Sequence, residues 1–308
     1  MSDVAAIVLD INGGAMLRAC LDSLAAQTRP FAEIVVWDNS ETNLGFAGGN
    51  NEAWKQTTAD FVALINNDVV LDPDWLETVM GAMDDDVAAV QTMLRGFDGT
   101  IDGAGIDISD GTIRQVRDER LAVSGWRLGP PRDESRIANR ESRIGPPPLD
   151  ERLAVSDWRL GPPRDESRIA NRESRIGPPS LTANRQSLTA TWGVSATAAV
   201  YRRAAVGERP FDPRFFAYYE DVELCARLHE GGWRTVVVPV VKATHRGSAS
   251  AGVLGDDARR LRTRNRYFVA RMHRGVGRIP ALLWEDAKLL VRGRSSLRGI
   301  AEGLLTRL

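Results

Sequence analysis

The chain has few of the residues that mark several common classes of protein. Two cysteines, Cys20 and Cys225, in 308 residues exclude a disulfide framework and a four-cysteine zinc site. Lys and Arg number 40 against 41 Asp and Glu, and this net charge of −1 excludes a globally basic nucleic-acid-binding protein and an acidic disordered chain. No apolar run reaches the ~20 residues of a membrane span, and the N-terminus lacks the basic segment of a signal peptide. We therefore expect a cytoplasmic protein, with peripheral contact to the inner face of the cytoplasmic membrane left open.

A tandem repeat of 32 residues lies in the middle of the chain. Residues 118–149 are followed at 150–181 by a copy that differs at two positions. Two copies are fewer than a solenoid needs to bury a core, and the apolar residues of a copy follow neither the helical nor the strand period. We interpret 118–187 as a disordered duplicated insertion on a surface loop. The alternative is a binding module in which the tryptophan of each copy anchors a partner.

The flanking sequence has the alternating pattern of an α/β domain, in a chain that is 43% apolar. Short runs rich in β-branched residues predict strands at 4–9, 33–37, 61–65 and 87–91. Apolar residues at helical spacing predict helices over 16–24 and after Pro73. This alternation predicts a mainly parallel sheet flanked by helices, an architecture in which ligands bind beyond the C-terminal ends of the strands.

Polar residues follow three of the predicted strands. The first strand leads into Asp10–Gly14, the second into Asp38–Ser40 and the third into Asn66–Asp68. A single Asp in such a place is usually a cap for the next helix. Three polar strand ends in one crevice destabilise a sheet unless they cap or bind something, so together they favour a site for a polar ligand.

A pair of adjacent carboxylates occurs later, in the segment FFAYYEDVELC at 215–225. The apolar spacing that follows places Glu220 and Asp221 in the first turn of a helix. One interpretation is a favourable interaction of both carboxylates with the helix dipole. The other is a carboxylate base at a cleft, with the neighbouring aromatic side chains excluding water.

One histidine follows the last predicted strand. That strand is expected at 235–238, and His245 comes seven residues after its end. A lone His is more often structural than a ligand. His245 is therefore a candidate metal ligand only if the fold returns it to Asp68.

Four segments together resemble glycosyltransferase family 2, and most closely its bacterial rhamnosyltransferase-like members. They read NLGFAGGNN, LINNDVVLDPDWL, FFAYYEDVELCARLHEGGW and HRGSAS, and they occur in the family's order. The resemblance implies an inverting enzyme of the GT-A fold. It implies a nucleotide-sugar-binding half at 1–117 and an acceptor and catalytic half at 188–250. The insertion at 118–187 would separate these halves, and a helical basic tail would follow at 251–308.

The same resemblance implies a donor site. Asp38 matches the aspartate that hydrogen-bonds the nucleotide base, and Asn12 lies on the loop that lines the base and ribose. Asn67 and Asp68 stand where the family has its DXD-type metal motif. Asp68 and His245 would hold Mg²⁺ or Mn²⁺ against the donor diphosphate, a role that suits hard oxygen ligands.

The resemblance also implies a reaction. Asp221 matches the catalytic base of the family's Glu-Asp motif, in which Glu220 is its neighbour. The implied function is metal-dependent, inverting transfer of a sugar, with rhamnose as one candidate, from a dTDP- or UDP-linked donor. The acceptor would be a glycan or a lipid-linked molecule used in cell-wall and polysaccharide biosynthesis.

The sequence departs from the family in its nucleotide-binding half. Only 22 residues separate Asp38 from Phe61, which leaves room for one crossover where the family has a helix, a strand and a second helix. The missing strand would lie at the sheet edge. This departure motivates an alternative, a catalytically inactive scaffold or binding protein of the same fold. Retention of Asp38, Asp68, Asp221 and His245 together argues against that alternative.

From Arg259 onward the sequence is basic, with 13 Lys and Arg against three acidic residues. The apolar residues that share one helical stripe there are Leu297, Ile300, Ala301, Leu304, Leu305 and Leu308. One interpretation is a helix that packs this stripe on its own domain, with the arginines solvated. The other is a basic amphipathic segment that touches an anionic membrane face. Nucleic-acid binding is disfavoured, because neither a recognisable fold nor an aromatic stacking platform accompanies the arginines.

Overall fold

The computed structural model of the chain describes residues 3–108, 113–117, 189–246, 249–273 and 278–308. The elements of the first part are β1 (Val4–Asp10), α1 (Ala15–Ala25), β2 (Glu33–Asp38), α2 (Gly45–Trp54), β3 (Phe61–Asn66), β4 (Val69–Leu71), α3 (Trp75–Gly81), β5 (Val87–Gly96), β6 (Ile101–Gly103), β7 (Ile106–Asp107) and β8 (Arg114–Gln115). Those of the second part are β9 (Thr189–Thr191), β10 (Ala198–Arg202), α4 (Arg203–Val206), a 3₁₀ turn (Pro213–Phe215), α5 (Glu220–Glu230), β11 (Arg234–His245), α6 (Ala249–Met272), α7 (Ile279–Val291) and α8 (Leu297–Leu305). The repeat interpreted as an insertion at 118–187 lies outside the described residues.

The strands form one large sheet in the order β2-β1-β3-β10-β5-β11-β4, with β6 added to β5 and β9 to β11. Parallel pairs join β1 to β2, β1 to β3 and β5 to β11. Strand β10 runs antiparallel to both neighbours, and β4 runs antiparallel to β11. The predicted α/β architecture is confirmed, and its sheet is mixed, since β10 and β4 interrupt the parallel pairs.

The segment between β2 and β3 has the predicted single crossover. One helix, α2, connects β2 to β3, and β2 ends the described order of the sheet. Loss of a strand beyond β2 therefore leaves the pairing of β1 and β3 intact.

Two apolar layers pack on opposite faces of the sheet. Along β1, Ala6 and Val8 belong to one layer and Ile7 to the other, as the strand period of two requires. Trp75 and Trp54 are fully buried in the respective layers. Burying one large apolar side chain contributes roughly 1.5–3 kcal/mol, so these layers hold the strand ends in fixed positions.

Strand β10 explains how residues distant in sequence meet at one edge. Because β10 runs opposite to β3, the segment before it arrives where β1 and β3 end. There the Asn66 N–H donates to the Thr197 carbonyl oxygen over 2.9 Å. Ser195 and Ala196 are thereby delivered to the same edge.

Strand β11 is longer than the sequence predicts. It runs to His245, although the predicted strand ends at residue 238. Pro239 and three register shifts against β5 interrupt its alternation, and proline within a strand hides it from pattern analysis. The extension pairs His245 with Val69 of β4, directly after Asp68.

Helices α7 and α8 both pack on α6. Within the ranges that the structure describes, no helix combines the length and the apolar character needed to cross a bilayer.

Candidate active site

A cavity of about 470 Å³ opens at the edge where β1 and β3 end. Its polar and charged lining includes Asn39, Asn66, Asp68, Asp102, Arg114, Arg117, Ser195, Tyr218, Glu220, Asp221, His245 and Arg262. This volume is in the ~300–1,000 Å³ range of small-molecule sites. The cavity therefore brings the carboxylates of the first half of the chain together with those of the second.

On one wall, His245 lies between two aspartates. Its Nε2 is 3.3 Å from Asp68 Oδ1, and its Nδ1 is 2.5 Å from Asp102 Oδ2. The Arg246 N–H donates to the Asp68 carbonyl oxygen over 3.0 Å, which fixes the backbone of the pair. The fold thus brings His245 next to Asp68. This is the condition under which the sequence makes His245 a candidate metal ligand.

The two aspartates act on the protonation of His245. Burial opposes a proton on His245, but hydrogen bonds to Asp102 and Asp68, with their negative charges, raise its pKa to about 9. The hydrogen bond from His245 in turn lowers the pKa of Asp102. The two carboxylates therefore favour the protonated imidazole, and a cation bound at Nε2 would displace the proton there.

The Asp68 and His245 side chains fit a divalent cation. A carboxylate oxygen and an imidazole nitrogen face each other in a cavity, and both are donors that Mn²⁺ accepts. Asp102 holds the opposite ring nitrogen, as outer carboxylates do for histidines that bind metals. Among the described residues no three acidic, His or Cys side chains form a complete site, so further ligands would come from a bound molecule.

On the opposite wall, Glu220 and Asp221 begin α5 as predicted. Asp221 Oδ1 accepts the Val222 N–H over 2.8 Å. Burial raises the pKa of Asp221, while hydrogen bonds from Val222, Ala196 and Ser195 act in the opposite direction. These donors hold the carboxylate in one orientation at the cavity.

Glu220 is buried beside Asp221. Burial, and then the charge of Asp221, raise the pKa of Glu220 well above its ordinary value. Its Oε2 has no hydrogen-bond partner within the described part of the chain. Burial and the neighbouring charge therefore both favour the protonated form of Glu220.

Three predicted donor-binding residues lie outside the cavity lining. Asp38 is exposed and accepts both the N–H and the hydroxyl of Ser40, and the hydroxyl bond is the main cause of its lowered pKa. Asn12 is exposed with a φ of 57°. The Asn67 amide donates to Asp10 Oδ1 over 2.7 Å. Of the predicted donor-binding set, Asp68 lines the cavity.

Residues 39–120 match the family model described as glycosyl transferase family 2. Over this segment, about a quarter of the chain, the sequence is similar to glycosyltransferase family 2. The resemblance predicted from the motifs is thereby confirmed.

Two relatives of this glycosyltransferase segment come from Mycobacterium tuberculosis, strains CDC 1551 / Oshkosh and ATCC 25618 / H37Rv. Both are named N-acetylglucosaminyl-diphospho-decaprenol L-rhamnosyltransferase, and both are 35% identical over 113 residues. The match covers 34% of this chain and 36% of each relative. The chain thus spans about a third of the length of the curated relatives that it matches.

Solved glycosyltransferases share the fold. Mannosyltransferase PcManGT from Pyrobaculum calidifontis, in complex with GDP-Man and Mn²⁺, superposes with a TM-score of 0.50 at 14% identity, over 98% of this chain and 80% of that one. GalNAc-T7 with UDP, GalNAc and Mn²⁺ gives a TM-score of 0.50 at 12% identity, over 98% and 57%. At such low identity these likenesses show the GT-A fold alone, as the sequence predicts.

Sequence reasoning missed several residues of the glycosyltransferase cavity. Asp102 lies in a turn-rich stretch with no motif, and Arg114, Arg117 and Arg262 are scattered charges in the sequence. Arg262 lies over the Tyr218 ring, 4.3 Å from its centroid. Only the tertiary fold brings these side chains to the cavity, so no spacing signal marks them.

The loop before α5 is strained and held by a residue of α6. Phe216, Tyr218 and Tyr219 have φ values of 63°, 71° and 70°, a conformation that costs roughly 1–2 kcal/mol for each residue with a side chain. The fully buried Asn265 amide lies 2.7–2.9 Å from the carbonyl oxygens of Phe215, Ala217 and Tyr218. The C-terminal region therefore shapes the cavity wall.

We expect Asn265→Ala to destabilise the protein by about 1–3 kcal/mol, because buried carbonyl groups lose their donor. Thermal unfolding measures this loss. Gln56→Ala, which removes an exposed amide, is the matched control and should leave the unfolding temperature unchanged. Equal unfolding temperatures for the two variants would contradict this role of Asn265.

Proposed function

We propose that the protein is a metal-dependent inverting glycosyltransferase that uses a nucleoside-diphosphate sugar. One observation carries the proposal: a single cavity is lined by the Asp68–His245 pair, which fits a divalent cation, and by Asp221, an oriented carboxylate. These are the two chemical groups that transfer of a sugar from a diphosphate requires.

The donor diphosphate would lie on the His245 wall. A Mg²⁺ or Mn²⁺ ion bound to Asp68 and His245 would neutralise charge on the departing diphosphate. Arg114, Arg117 and Arg262 line the same cavity, and guanidinium groups bind phosphate oxygens through paired hydrogen bonds. The solved proteins that share this fold were obtained with GDP-Man and Mn²⁺ or with UDP and Mn²⁺, which supports this class of donor.

Asp221 would act as the base. It takes the proton of the acceptor hydroxyl as the acceptor oxygen bonds to the anomeric carbon, and the bond from that carbon to the diphosphate breaks with its electron pair. Attack from the face opposite the leaving group inverts the anomeric centre. Glu220, holding its proton, would donate a hydrogen bond to the acceptor through its unpartnered carboxyl oxygen.

We also propose roles for the three predicted donor-binding residues that lie outside the cavity lining. Asp38 ends β2 and Asn12 follows β1, next in sequence to cavity residues Asn39 and Ile11. Asn67 holds the loop that carries Asp68 through its bond to Asp10. We therefore propose that Asp38 and Asn12 contact the base and ribose at the outer rim, and that Asn67 orients the metal loop.

The proposed substrates follow the curated relatives, whose names specify an L-rhamnosyl group and a diphospho-decaprenol acceptor. We propose rhamnose on dTDP or UDP as the donor and a lipid-linked glycan as the acceptor, for a cell-envelope polysaccharide made at the cytoplasmic side of the membrane. We also propose that 1–117 supplies the donor half, 188–250 the acceptor half, and 251–308 a tail that supports both.

Thermal unfolding with Mn²⁺ and dTDP, UDP or GDP in turn tests the donor site. At ~100 times Kd, binding adds ~2.7 kcal/mol, a rise of about 5–10 °C for a domain of this size. We expect such a rise with one nucleotide, and its loss when Mn²⁺ is omitted. If no nucleotide raises the unfolding temperature, an inactive scaffold of the same fold becomes the better hypothesis.

A further inference from the structure

The C-terminal helix α8 leaves part of its apolar stripe exposed. It packs on α6 through Gly299 and Gly303, where an added Cβ would lie 2.6 Å from the Arg260 carbonyl oxygen and 2.7 Å from Tyr267 Cβ. Ile300 and Leu304 are half-buried, whereas Leu297 and Leu305 are 71% and 81% exposed. The helix therefore packs on its own domain through these glycines, while the outer leucines of the stripe remain open to solvent.

Helix α7 also exposes apolar side chains. Its inward face carries the fully buried Leu282 and Asp286, and Asp286 bonds to Arg266, to the Tyr267 hydroxyl at 2.6 Å and to the Ser295 hydroxyl at 2.7 Å. The outward face carries Pro280, Leu283, Trp284, Ala287 and Val291. A helix in water normally buries its large apolar side chains and exposes its charges. Two consecutive helices that leave large apolar side chains exposed indicate an external apolar partner.

Exposed basic residues accompany this apolar surface. They are Arg278, Lys288, Arg292, Arg294, Arg298 and Arg307. The acidic residues are neutralised locally: Asp286 pairs with Arg266, and Glu302 pairs with Arg260 at 2.7 Å. The outward surface of both helices is therefore apolar and positively charged.

We propose that α7 and α8 form a docking face for an anionic lipid bilayer. Leucine, tryptophan and valine side chains would enter the head-group region while Arg and Lys contact lipid phosphates. A second copy of the chain fits less well, because a two-fold contact would place the same arginines against one another. Only the purpose of this docking, access to a lipid-linked acceptor, rests on the proposed function.

The position of α6 connects this face to the cavity. Arg262 of α6 lines the cavity and Asn265 holds its wall, whereas Gly299 and Gly303 of α8 pack on other residues of the same helix. A bilayer bound to α7 and α8 would therefore lie one helix away from the acceptor side. This arrangement suits an acceptor whose lipid stays in the membrane.

Sedimentation with vesicles tests the docking face on the full chain without nucleotide. We expect binding to vesicles of phosphatidylcholine with about one-third phosphatidylglycerol, weaker binding in high salt, and little binding to pure phosphatidylcholine. Leu297→Gln/Leu305→Gln should lower the partition coefficient at least about tenfold, since two buried leucines are lost. Ile34→Thr/Val36→Thr, at two exposed apolar positions of β2, is the matched control and should bind like the original chain.

Several outcomes would overturn the proposal. These are absence of binding to anionic vesicles, equal binding of the leucine variant, or a dimer in light scattering that the leucine variant dissociates. Because vesicle binding needs no donor, its failure with an intact nucleotide-induced rise in unfolding temperature removes the docking face alone. Vesicle binding without any nucleotide effect removes the enzyme proposal alone.

Discussion

Asp221→Asn is expected to fold normally and to lose at least about 10²-fold in the rate of sugar transfer. General bases contribute ~10²–10⁴-fold, and an amide cannot take the acceptor proton. The amide still accepts the Val222 N–H that Asp221 receives, so the first turn of α5 should keep its shape. The variant should retain the nucleotide-induced rise in unfolding temperature, which separates chemistry from binding.

Release of nucleoside diphosphate from the sugar donor measures the rate. Asp256→Asn, which alters a carboxylate exposed on α6, is the control and should turn over like the original protein. Since burial raises the pKa of Asp221, the active ionised form is lost as the pH falls through a value above the usual ~3.9 for Asp. Transfer should therefore decline in mild acid. Unchanged turnover in Asp221→Asn would remove it from the role of base.

Asp68→Ala is expected to abolish the binding of Mn²⁺ and, with it, the stabilisation by nucleotide. The side chain is almost fully buried at the cavity, and its Oδ1 lies 3.3 Å from His245 Nε2, so the variant removes the oxygen that faces this nitrogen. Asp102→Asn should weaken Mn²⁺ binding by about 10–100-fold, the usual effect of removing the carboxylate that orients a histidine ligand.

Electron paramagnetic resonance of free Mn²⁺ measures both effects without any turnover. Asp98→Asn provides the control, because Asp98 lies in the neighbouring turn and is bonded to Thr100 instead. Full Mn²⁺ affinity in Asp68→Ala would place the cation elsewhere. Full affinity in Asp102→Asn would limit Asp102 to a structural contact.

The sequence predicts the fold and the start of α5 at Glu220 well, because both depend on local pattern. The β-branched run of β1 and the helical spacing after Glu220 leave little choice of structure. His245 was predicted only conditionally, since Pro239 conceals the strand that delivers it to Asp68. Its distance from Asp68 is set by pairing between β11 and β4, which no local pattern reveals.

Other parts of the site depend on contacts that sequence patterns do not encode. Asn265 reads as one polar residue in a basic helix, yet its amide supports the strained loop before α5. The leucine stripe of α8 has the periodicity of a buried face, but periodicity defines a face without saying where it points. The close approach of Gly299 and Gly303 to α6 decides that orientation.

The antiparallel placement of β10 has a consequence for synthesis on the ribosome. Strands β3 and β5 precede the repeat in sequence, yet in the sheet they are joined only through β10, which follows it. A nascent chain that ends within the repeat therefore carries two strands with unpaired edges, which are templates for aggregation. At ~5–20 residues per second, every added copy of the repeat lengthens that vulnerable interval. Aggregation of the growing polypeptide would then limit the number of copies of the repeat.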